Sequence, residues 1–199
     1  QRSSNYRDVD IVSTISLERD ARTLKFKTVV NNVVEDHKLS VLFPTGVAAT
    51  KSHSDGSFEI VERPIDYTTN RNGRTGDEIL CHPMQKFIDI SDGKRGMALM
   101  SKGIHEYRTD VIDGKSVVEL TLLRAVTQTF PIHGDVFIEF DENPAQSQGE
   151  QTFEYALNFH AGDYLEGDVM KTAYCYVVPP AVYQHAPGTN RGMLPLSHS

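Results

Sequence analysis

Apolar residues recur at every second position along much of this chain, and polar residues fill the positions between them. Residues 9–17 follow this alternation, and residues 24–28 resume it after a polar stretch at 19–22. A period of two is typical of a β-strand with one face buried and the other face in water. The start of the chain is therefore predicted to form a β-hairpin with one buried face.

Short turn sequences separate the later apolar runs. Asp92-Gly93 and Asp113-Gly114 each stand between two such runs, and Asp-Gly is a strong signal for a hairpin turn. Pro44-Thr45-Gly46 also indicates a turn, and Pro64 indicates the end of a strand or an edge strand. The further strand candidates are residues 39–43, 58–65, 87–90, 96–100, 107–112, 117–123, 153–159 and 173–178. Together they predict an all-β fold, a mainly antiparallel β-sandwich of about ten strands.

Other segments lack this periodicity. They are residues 66–79, 143–151 and the tail from Pro179. The best helical candidate, residues 163–172, contains Gly167, which weakens a helix. We therefore expect a β-sandwich domain over residues 1–178. A Pro-rich linker or a truncated continuation is expected over residues 179–199.

Composition and charge narrow the classes of function. The chain has 199 residues and 39% hydrophobic content, enough for a folded domain with a buried core. Its formal charge of −7 argues against nucleic-acid binding, which depends on clustered lysine and arginine. No apolar run approaches the roughly 20 residues needed to cross a bilayer, so no membrane partner is expected. Cys175 lies in an apolar run, where a buried reduced thiol is expected, and a single disulfide with Cys81 stays open.

No group of residues has the spacing of a familiar metal or nucleophile motif. His-Glu-x-x-His, Cys-x-x-Cys, Gly-x-Ser-x-Gly and the phosphate-binding glycine loop are all absent. His160 ends an apolar run beside Asp163, and a structural role is favoured for it. Arg124 ends the apolar run 120–123, and it either lies along the rim of the sandwich or points toward a neighbouring surface. Solvent exposure or turn chemistry explains the acids near strands, which are Glu62, Asp89, Asp92, Glu106 and Glu154.

Several segments, taken in order, resemble a known family. They are NVVEDHKLSVLFP at 32–44, VERP at 61–64, His82-Pro83, FIDISDG at 87–93, GIHEY at 103–107, LTLLRAV at 120–126 and FEYALNFHAGD at 153–163. This ordered set resembles the C-terminal β region of bacterial glycoside hydrolase family 38 enzymes, which include α-mannosidases and mannosylglycerate hydrolases. The resemblance implies a sandwich related to the galactose mutarotase-like superfamily. It also implies packing against an upstream α/β catalytic domain and a helical bundle.

The same resemblance implies where catalysis takes place. The family's zinc ligands and aspartate nucleophile belong to an N-terminal catalytic domain, which begins near a His-x-Asp motif. This chain is thus expected to hold no catalytic residue and no metal ligand, and to be inactive alone. Its expected partners are the catalytic domain of the same polypeptide and an α-mannoside or mannosylglycerate-type substrate in the cytoplasm. The candidate residues of a cleft wall are Arg124, Gln146, Gly149 and His160.

Two other functions stay open. A free-standing carbohydrate-binding module would need exposed aromatic side chains for sugar stacking, and the chain has no Trp. The tyrosines that could serve instead are Tyr67, Tyr164 and Tyr183. A complete mutarotase-like enzyme would need a histidine and an acid that converge in a groove, with His82 or His160 beside Glu154 as the candidate pairs.

Overall fold

A computed structural model describes residues 6–65, 81–127, 144–178 and 180. In this part of the chain there are eleven β-strands, one short 3₁₀ helix and one α-helix. The strands are β1 (Asp10–Leu17), β2 (Thr23–Asn32), β3 (Lys38–Pro44), β4 (Lys51–Asp55), β5 (Ile60–Pro64), β6 (Cys81–Pro83), β7 (Phe87–Ser91), β8 (Arg95–Lys102), β9 (Glu106–Ile112), β10 (Lys115–Arg124) and β11 (Gly149–Ala161). The 3₁₀ helix spans Pro144–Gln146, and α1 spans Val169–Val177.

The strands form two antiparallel sheets. The larger sheet has the strand order β1-β2-β11-β8-β7-β4-β5, and the smaller has the order β3-β10-β9-β6. All the strand pairings in these sheets are antiparallel. The predicted all-β antiparallel sandwich is confirmed, with eleven strands in the described residues where about ten were expected. The prediction for Pro64 also holds, because β5 lies at one edge of the larger sheet as described.

Both Asp-Gly sequences form the predicted hairpin turns. Asp113 and Gly114 have φ values of 52° and 72°, and two positive φ values in a row match the right-handed twist of the strands that they join. At the other turn, the Asp92 carboxylate accepts hydrogen bonds from the backbone N–H groups of Lys94 and Arg95, at 2.9 and 3.0 Å. These bonds lower the pKa of Asp92 and confirm its role as a turn acceptor.

The main core lies between the sheets. Alternate residues of the central strands meet there, among them Ile88, Ile90, Met97, Leu99, Val118, Leu120, Tyr155 and Leu157. The rings of Phe26, Phe43 and Tyr155 contact one another with centroid separations of 5.2 to 5.8 Å. Because Phe43 belongs to the smaller sheet and the other two to the larger, this aromatic cluster joins the sheets.

A second, smaller core lies on the outer face of the larger sheet, beneath α1. Val169 and Ala173, four residues apart on one side of the helix, pack there against Ala98 and Ala156. The sequence prediction of a strand at 173–178 is wrong, since these residues continue α1 as far as Val177. A short apolar run suits a strand or a buried helix equally well, and the small alanines of the sheet let a helix approach closely.

The first hairpin differs from its prediction in one respect. β1 and β2 pair as expected, yet Ile11, Ile15 and Leu17 of β1 are 48%, 60% and 62% exposed. The smaller sheet is three strands narrower, and its β3 reaches as far as β2 through the contact between Phe43 and Phe26. β1 lies one strand further out, so its alternating pattern produces no buried face in the described part of the chain.

The structure also differs from the sequence predictions at Cys175 and in the segment 143–151. Cys175 lies exposed on α1 instead of buried, and both Cys175 and the half-buried Cys81 are free thiols. Part of the predicted irregular segment 143–151 is regular, because β11 begins at Gly149. Residues 66–79 and 181–199 lie outside the described residues, and the linker proposed for 179–199 stays a prediction.

Candidate substrate-facing site

Arg124 is the last residue of β10, at one end of the sandwich. The pairing of β10 with β3 shifts register between Thr121 and Leu123, and such a bulge re-aims the side chains that follow it. The run before Arg124 is apolar because Val118 and Leu120 pack in the main core. The arginine side chain itself is 62% exposed. Arg124 therefore leaves the apolar strand and points outward at the rim.

Four chain segments meet at this end. Lys38 pairs with Arg124 between β3 and β10, Asn32 pairs with Gly149 between β2 and β11, and Lys102 pairs with Glu154 between β8 and β11. We call this region the Arg124 end and define it by residues 32–38, 102–106, 121–127 and 146–153. Gln146 and Gly149 belong to it together with Arg124.

A cavity of about 570 Å³ opens at the Arg124 end. Its walls combine apolar and polar side chains, and they are formed by Cys81, His82, Pro83, Lys102, Gly103, Ile104, His105, Glu106, Thr121, Leu122, Arg124, Thr152 and Phe153. Ligand pockets are commonly mostly apolar with a few placed polar groups. A cavity of this size, with cationic and carboxylate groups on its rim, has the chemistry to bind a small hydroxyl-rich molecule.

Glu106 organises the charges at the rim of this cavity. One carboxylate oxygen accepts a hydrogen bond from the Thr121 hydroxyl at 2.7 Å and lies 3.7 Å from the Lys38 ammonium. The other oxygen lies 3.4 Å from a guanidinium nitrogen of Arg124. An arginine has five N–H donors, so this one long contact leaves most of the donors of Arg124 facing solvent.

Lys38 links Glu106 to a second carboxylate on the outer face of the smaller sheet. Its ammonium lies 3.0 Å from Glu119. Burial opposes the charge on Lys38, but the Glu119 carboxylate outweighs it and holds the pKa of Lys38 above its usual range. On the cavity wall, burial and the nearby guanidinium of Arg63 lower the pKa of His82, so this imidazole is neutral at pH 7. His82 therefore adds no positive charge to the cavity wall, whereas Lys102 and Arg124 do.

Gln146 is a structural clasp at the Arg124 end. It is 5% exposed, and its side-chain amide donates to the Asp36 carboxylate at 2.9 Å and to the Thr127 hydroxyl at 3.0 Å. Its side-chain oxygen accepts the backbone N–H of Asp36 at 2.9 Å. The bonds from Thr127 and Gln146 lower the pKa of Asp36. Gln146 thus ties the β2–β3 connection to the residues that follow Arg124.

Gly149 contributes through its backbone. It begins β11 with a φ of 91°, which L side chains rarely adopt, and no atom lies within 4 Å of the place where a Cβ would stand. Its partner across the ladder is Asn32, whose side-chain amide donates to the carbonyl oxygen of Gln146 at 2.9 Å. The glycine sets the path by which the chain enters β11 at the Arg124 end.

His160 lies far from the other three candidates. It is eleven residues further along β11 than Gly149, which at 3.3 Å per residue is about 36 Å along the strand. Its side chain is 3% exposed, and Nε2 lies 2.7 Å from an oxygen of the completely buried Asp89. The solvent-facing interpretation of Asp89 is therefore wrong, and the favoured structural role of His160 fits this burial.

The acid–base pairs that a mutarotase-like enzyme would need do not converge. Glu154 and His160 are six residues apart on β11, about 20 Å along the strand. Glu154 interacts with Lys102 at 3.4 Å and lines a groove beside α1, whereas His82 lines the cavity next to Arg124. Tyr164 does not support the aromatic platform of a binding module, because its ring packs against His53. Tyr67 and Tyr183 lie outside the described residues.

The His-x-Asp spacing occurs twice in this sequence, at His53-Ser54-Asp55 and at His133-Gly134-Asp135. The second lies outside the described residues. In the first, one oxygen of Asp55 accepts the backbone N–H groups of Gln85, Lys86 and Phe87 at 2.7 to 3.0 Å. Asp55 therefore shapes a turn. Among the described residues, no group of three or more His, Cys, Asp or Glu side chains is placed to hold a metal ion.

The sequence does not reveal the connecting role of Lys38 and Glu106. Lys38 lies within the segment 32–44, and solvent exposure or turn chemistry explains Glu106 from sequence, yet together they connect β3, β9 and β10. The signal that could have found them is charge on strand residues at the same end as Arg124. Recognising it needed the pairing of β10 with both β3 and β9.

This chain is similar to known proteins over its whole length. The profile "Glycosyl hydrolases family 38 C-terminal domain" matches residues 2–133. A protein named "Putative mannosylglycerate hydrolase" from Halalkalibacterium halodurans is 30% identical over 198 residues, which is 100% of this chain and 20% of that protein. This chain therefore spans about a fifth of the curated relative. In the described residues, no helix is long and apolar enough to cross a membrane.

Solved structures agree with the sequence comparison. An alpha-mannosidase from Enterococcus faecalis V583 superposes with a TM-score of 0.74 and 28% identity, over 90% of this chain and 19% of that one. A protein in the Glycosyl Hydrolase Family 38 from Enterococcus faecalis gives a TM-score of 0.70 with the same identity and coverage. The chain belongs to the family of C-terminal domains of family 38 glycosyl hydrolases.

Proposed function

We propose that this chain is the non-catalytic C-terminal β domain of a zinc-dependent retaining α-mannosidase, and that its Arg124 end forms part of the wall of the substrate cleft. The substrate class is an α-mannoside or a mannosylglycerate-type compound. The proposal includes packing of this domain on a catalytic domain of the same polypeptide. Its location would be the cytoplasm, which fits the two free thiols of Cys81 and Cys175.

The exposure of Arg124 beside a cavity carries the cleft assignment. An arginine that served the fold alone would be expected to engage several of its five donors, whereas here one contact at 3.4 Å is found among the described residues. The clasp made by Gln146 and the backbone geometry of Gly149 support the segments on either side of it. We assign these two residues a positioning role behind Arg124. The burial of His160 argues against any contact of its side chain with substrate.

Bond cleavage is assigned to the part of the polypeptide outside this chain. The proposed chemistry is a double displacement with an aspartate nucleophile and a zinc ion, both in the catalytic domain. The described residues of this chain do not fit a zinc site, because they offer no group of three suitable ligands. Arg124 would instead donate hydrogen bonds to substrate oxygens at the cleft wall.

Replacement of Arg124 in the intact enzyme tests the proposal. Hydrogen bonds to a charged group contribute about 1.5 to 3 kcal/mol, so Arg124→Ala should lower kcat/KM for an aryl α-mannoside by about tenfold to a hundredfold. The free energy of unfolding should change by less than about 1 kcal/mol, because the ion pair with Glu106 is exposed. Arg124→Lys should restore part of the activity, since it keeps the charge without the planar fork.

The matched control is Arg19→Ala, which removes an exposed arginine from the β1–β2 turn at a distance from the cavity. This variant should keep full activity. If Arg124→Ala leaves kcat/KM unchanged, or lowers activity only in proportion to a loss of folded protein, the cleft assignment is wrong. Chelator-sensitive hydrolysis of an aryl α-mannoside by residues 1–199 alone would contradict the non-catalytic role.

The two substrate classes can be told apart with the same variant. A mannosylglycerate-type substrate carries a carboxylate, which a guanidinium binds with two parallel hydrogen bonds. If Arg124 meets that carboxylate, Arg124→Ala should impair hydrolysis of mannosylglycerate at least tenfold more than hydrolysis of an uncharged aryl mannoside. Equal impairment of both would place Arg124 against the sugar instead.

A further inference from the structure

A row of ionisable side chains crosses the outer face of the larger sheet at the end opposite Arg124. His53 on β4 is the register partner of Asp89 on β7, and Asp89 Oδ1 lies 2.7 Å from Nε2 of His160 on β11. β8 runs between β7 and β11, and it places Gly96 opposite His160. Because glycine has no side chain, the carboxylate and the imidazole meet across β8. The pair therefore bridges β7 and β11 across β8, on a face that α1 also covers.

Both ring nitrogens of His160 face hydrogen-bond acceptors. Nε2 faces the Asp89 carboxylate, and Nδ1 lies 3.3 Å from the carbonyl oxygen of Ala161. A neutral imidazole has one N–H group, whereas the doubly protonated ring donates at both nitrogens. The other oxygen of Asp89 is buried without a hydrogen-bond partner among the described residues. The geometry therefore matches a protonated His160 that balances the charge of Asp89.

The connection between β11 and α1, residues 162–168, closes over this row. The His160 ring is enclosed by glycine backbone, since a Cβ on Gly96 or on Gly167 would overlap it. Tyr164, in the same connection, packs against His53 in a tilted arrangement with 4.8 Å between ring centroids. Immediately after the connection, α1 buries two side chains, Val169 and Ala173. The connection and the helix thus form a cap, in which the connection contacts the two imidazoles and the helix packs on the apolar residues of the second core.

We propose that the proton on His160 is a latch: it holds residues 162–168 and α1 closed over the larger sheet, and its loss opens this cap while the sandwich stays folded. Without that proton, Asp89 would be a buried carboxylate whose charge is no longer balanced, which is a costly state. Opening the cap lets water reach both groups. It separates the apolar contacts of the second core but breaks no strand pairing, so it relieves the charge while the sandwich stays folded.

Other ionisable groups lie near the two imidazoles, and they include both acids and a base. Glu62 on β5 lies 3.4 Å from the second imidazole, His53, and Arg95 on β8 pairs with Ala161 beside His160. Asp163 and Glu166 belong to the connection itself. The ionisable residues of α1 face elsewhere, toward the groove beside β2 or the cavity near Phe58, and they are Lys171, Tyr174, Cys175 and Tyr176.

The sign of the pH dependence follows from these surroundings. Burial opposes the charge on His160, but the hydrogen bond and charge of Asp89, with Asp163 adding to them, raise the pKa of His160 above its usual range. A group whose pKa is raised by folding stabilises the closed form fully below its unfolded pKa of about 6.5. That stabilisation is lost as the pH rises through the higher folded pKa. The cap should therefore be closed in mild acid and should open progressively in base.

Amide hydrogen exchange of the intact protein tests the latch. Exchange would be followed by mass spectrometry from about pH 6 to about pH 9, with each rate divided by the intrinsic chemical rate at that pH. Protection of residues 162–177 should fall by up to about tenfold per pH unit in the window above about pH 6.5. Protection of Met97–Met100 in β8 should stay higher than protection of residues 162–177 at every pH, because the sandwich stays folded when the cap opens.

Two variants make the test specific. His160→Gln keeps an amide donor that can face Asp89 but does not titrate, so protection of residues 162–177 should become independent of pH. His37→Gln, a histidine replacement on the β2–β3 connection at the Arg124 end, should keep the pH dependence of the unmodified protein.

Three outcomes overturn the latch. They are a flat profile for residues 162–177 in the unmodified protein, protection of Met97–Met100 no higher than that of residues 162–177, or an unchanged pH dependence in His160→Gln. If His160→Gln does not fold, the profiles of the unmodified protein alone decide. None of these results depends on the activity of the intact enzyme, so failure of the latch is separable from failure of the proposed function.

Discussion

Two charged pairs at opposite ends of the same sandwich show two uses of ionisable residues. Arg124 and Glu106 are 3.4 Å apart, with side chains 62% and 30% exposed. His160 and Asp89 are 2.7 Å apart, with side chains 3% and 0% exposed. At the exposed pair most hydrogen-bond donors face solvent, whereas at the buried pair both ring nitrogens of the histidine face acceptors. The first pair is suited to a ligand and the second to holding chain segments together.

The difference between the pairs has a physical basis in solvation. Water screens an exposed pair, so its loss costs little stability and its groups remain free to exchange partners. A buried pair is screened much less, and removing one partner leaves the other as an uncompensated charge. The two pairs should therefore respond oppositely to substitution: activity should change when Arg124 is replaced, and stability when His160 is replaced.

The largest effect is expected from His160→Ala. This change leaves Asp89 buried without its partner and should lower the free energy of unfolding by about 3 to 5 kcal/mol. The measurement is exchange of the slowest amides of β8 in the intact protein, compared with His37→Ala as the control. A loss below about 1 kcal/mol would show that Asp89 finds another partner, and the contrast between the two ends would weaken.

A smaller effect is expected from Gly96→Ala. The added Cβ would overlap the His160 ring, and overpacking of this kind costs about 1 to 3 kcal/mol. The same exchange measurement applies. In a His160→Ala background the ring is gone and only the close approach of the Ser91 Cβ, at 2.9 Å, remains, so Gly96→Ala should then cost clearly less, and this coupling is the control. Equal costs in both backgrounds would mean that the glycine is needed for some reason other than the imidazole.

Gln146→Ala should lower stability at the Arg124 end. It removes two donated hydrogen bonds and one accepted hydrogen bond at a buried position, and should cost about 1 to 3 kcal/mol. Gln148→Ala is the matched control, because it removes an amide on an exposed residue that donates to the Val34 carbonyl at 2.9 Å. Similar small losses in both variants would contradict the clasp.

The smallest stability effect is expected from Arg124→Ala, the variant used to test the cleft. Its loss of stability should stay below about 1 kcal/mol, although its activity should fall by about tenfold or more. Arg124→Ala would then change mainly activity, whereas His160→Ala would change mainly stability. A stability loss for Arg124→Ala that matches the loss for His160→Ala would remove the distinction between the two pairs.

Much of the fold was predictable from sequence because its signals are local. The Asp-Gly turns at 92–93 and 113–114 form hairpins as predicted, and the period of two marks the strands that follow them. The prediction failed where a neighbouring element decided the outcome. The apolar run that ends at Val178 became part of a helix because small alanines of the sheet accept it, and the alternation in β1 meets no opposing strand among the described residues.

The candidate site was predictable only in part. Arg124, Gln146 and Gly149 do share one end of the sandwich, but the sequence could not separate the arginine that faces a cavity from the glutamine that clasps two segments. That separation depends on exposure, and exposure is set by the packing of segments distant in sequence. His160 was grouped with them because it follows on the same strand, although a strand of 13 residues carries its two ends far apart.

Strand periodicity, the hairpin turns and the resemblance to the C-terminal region of family 38 enzymes are visible in the sequence, because each of these resides in residues close together along the chain. Which ionisable residues become partners is visible only in the folded chain. Asp89 and His160 are 71 residues apart, and they meet because β7, β8 and β11 lie side by side with a glycine between them. The energy of a charged pair depends on distance and on the exclusion of water, and both are properties of the folded chain.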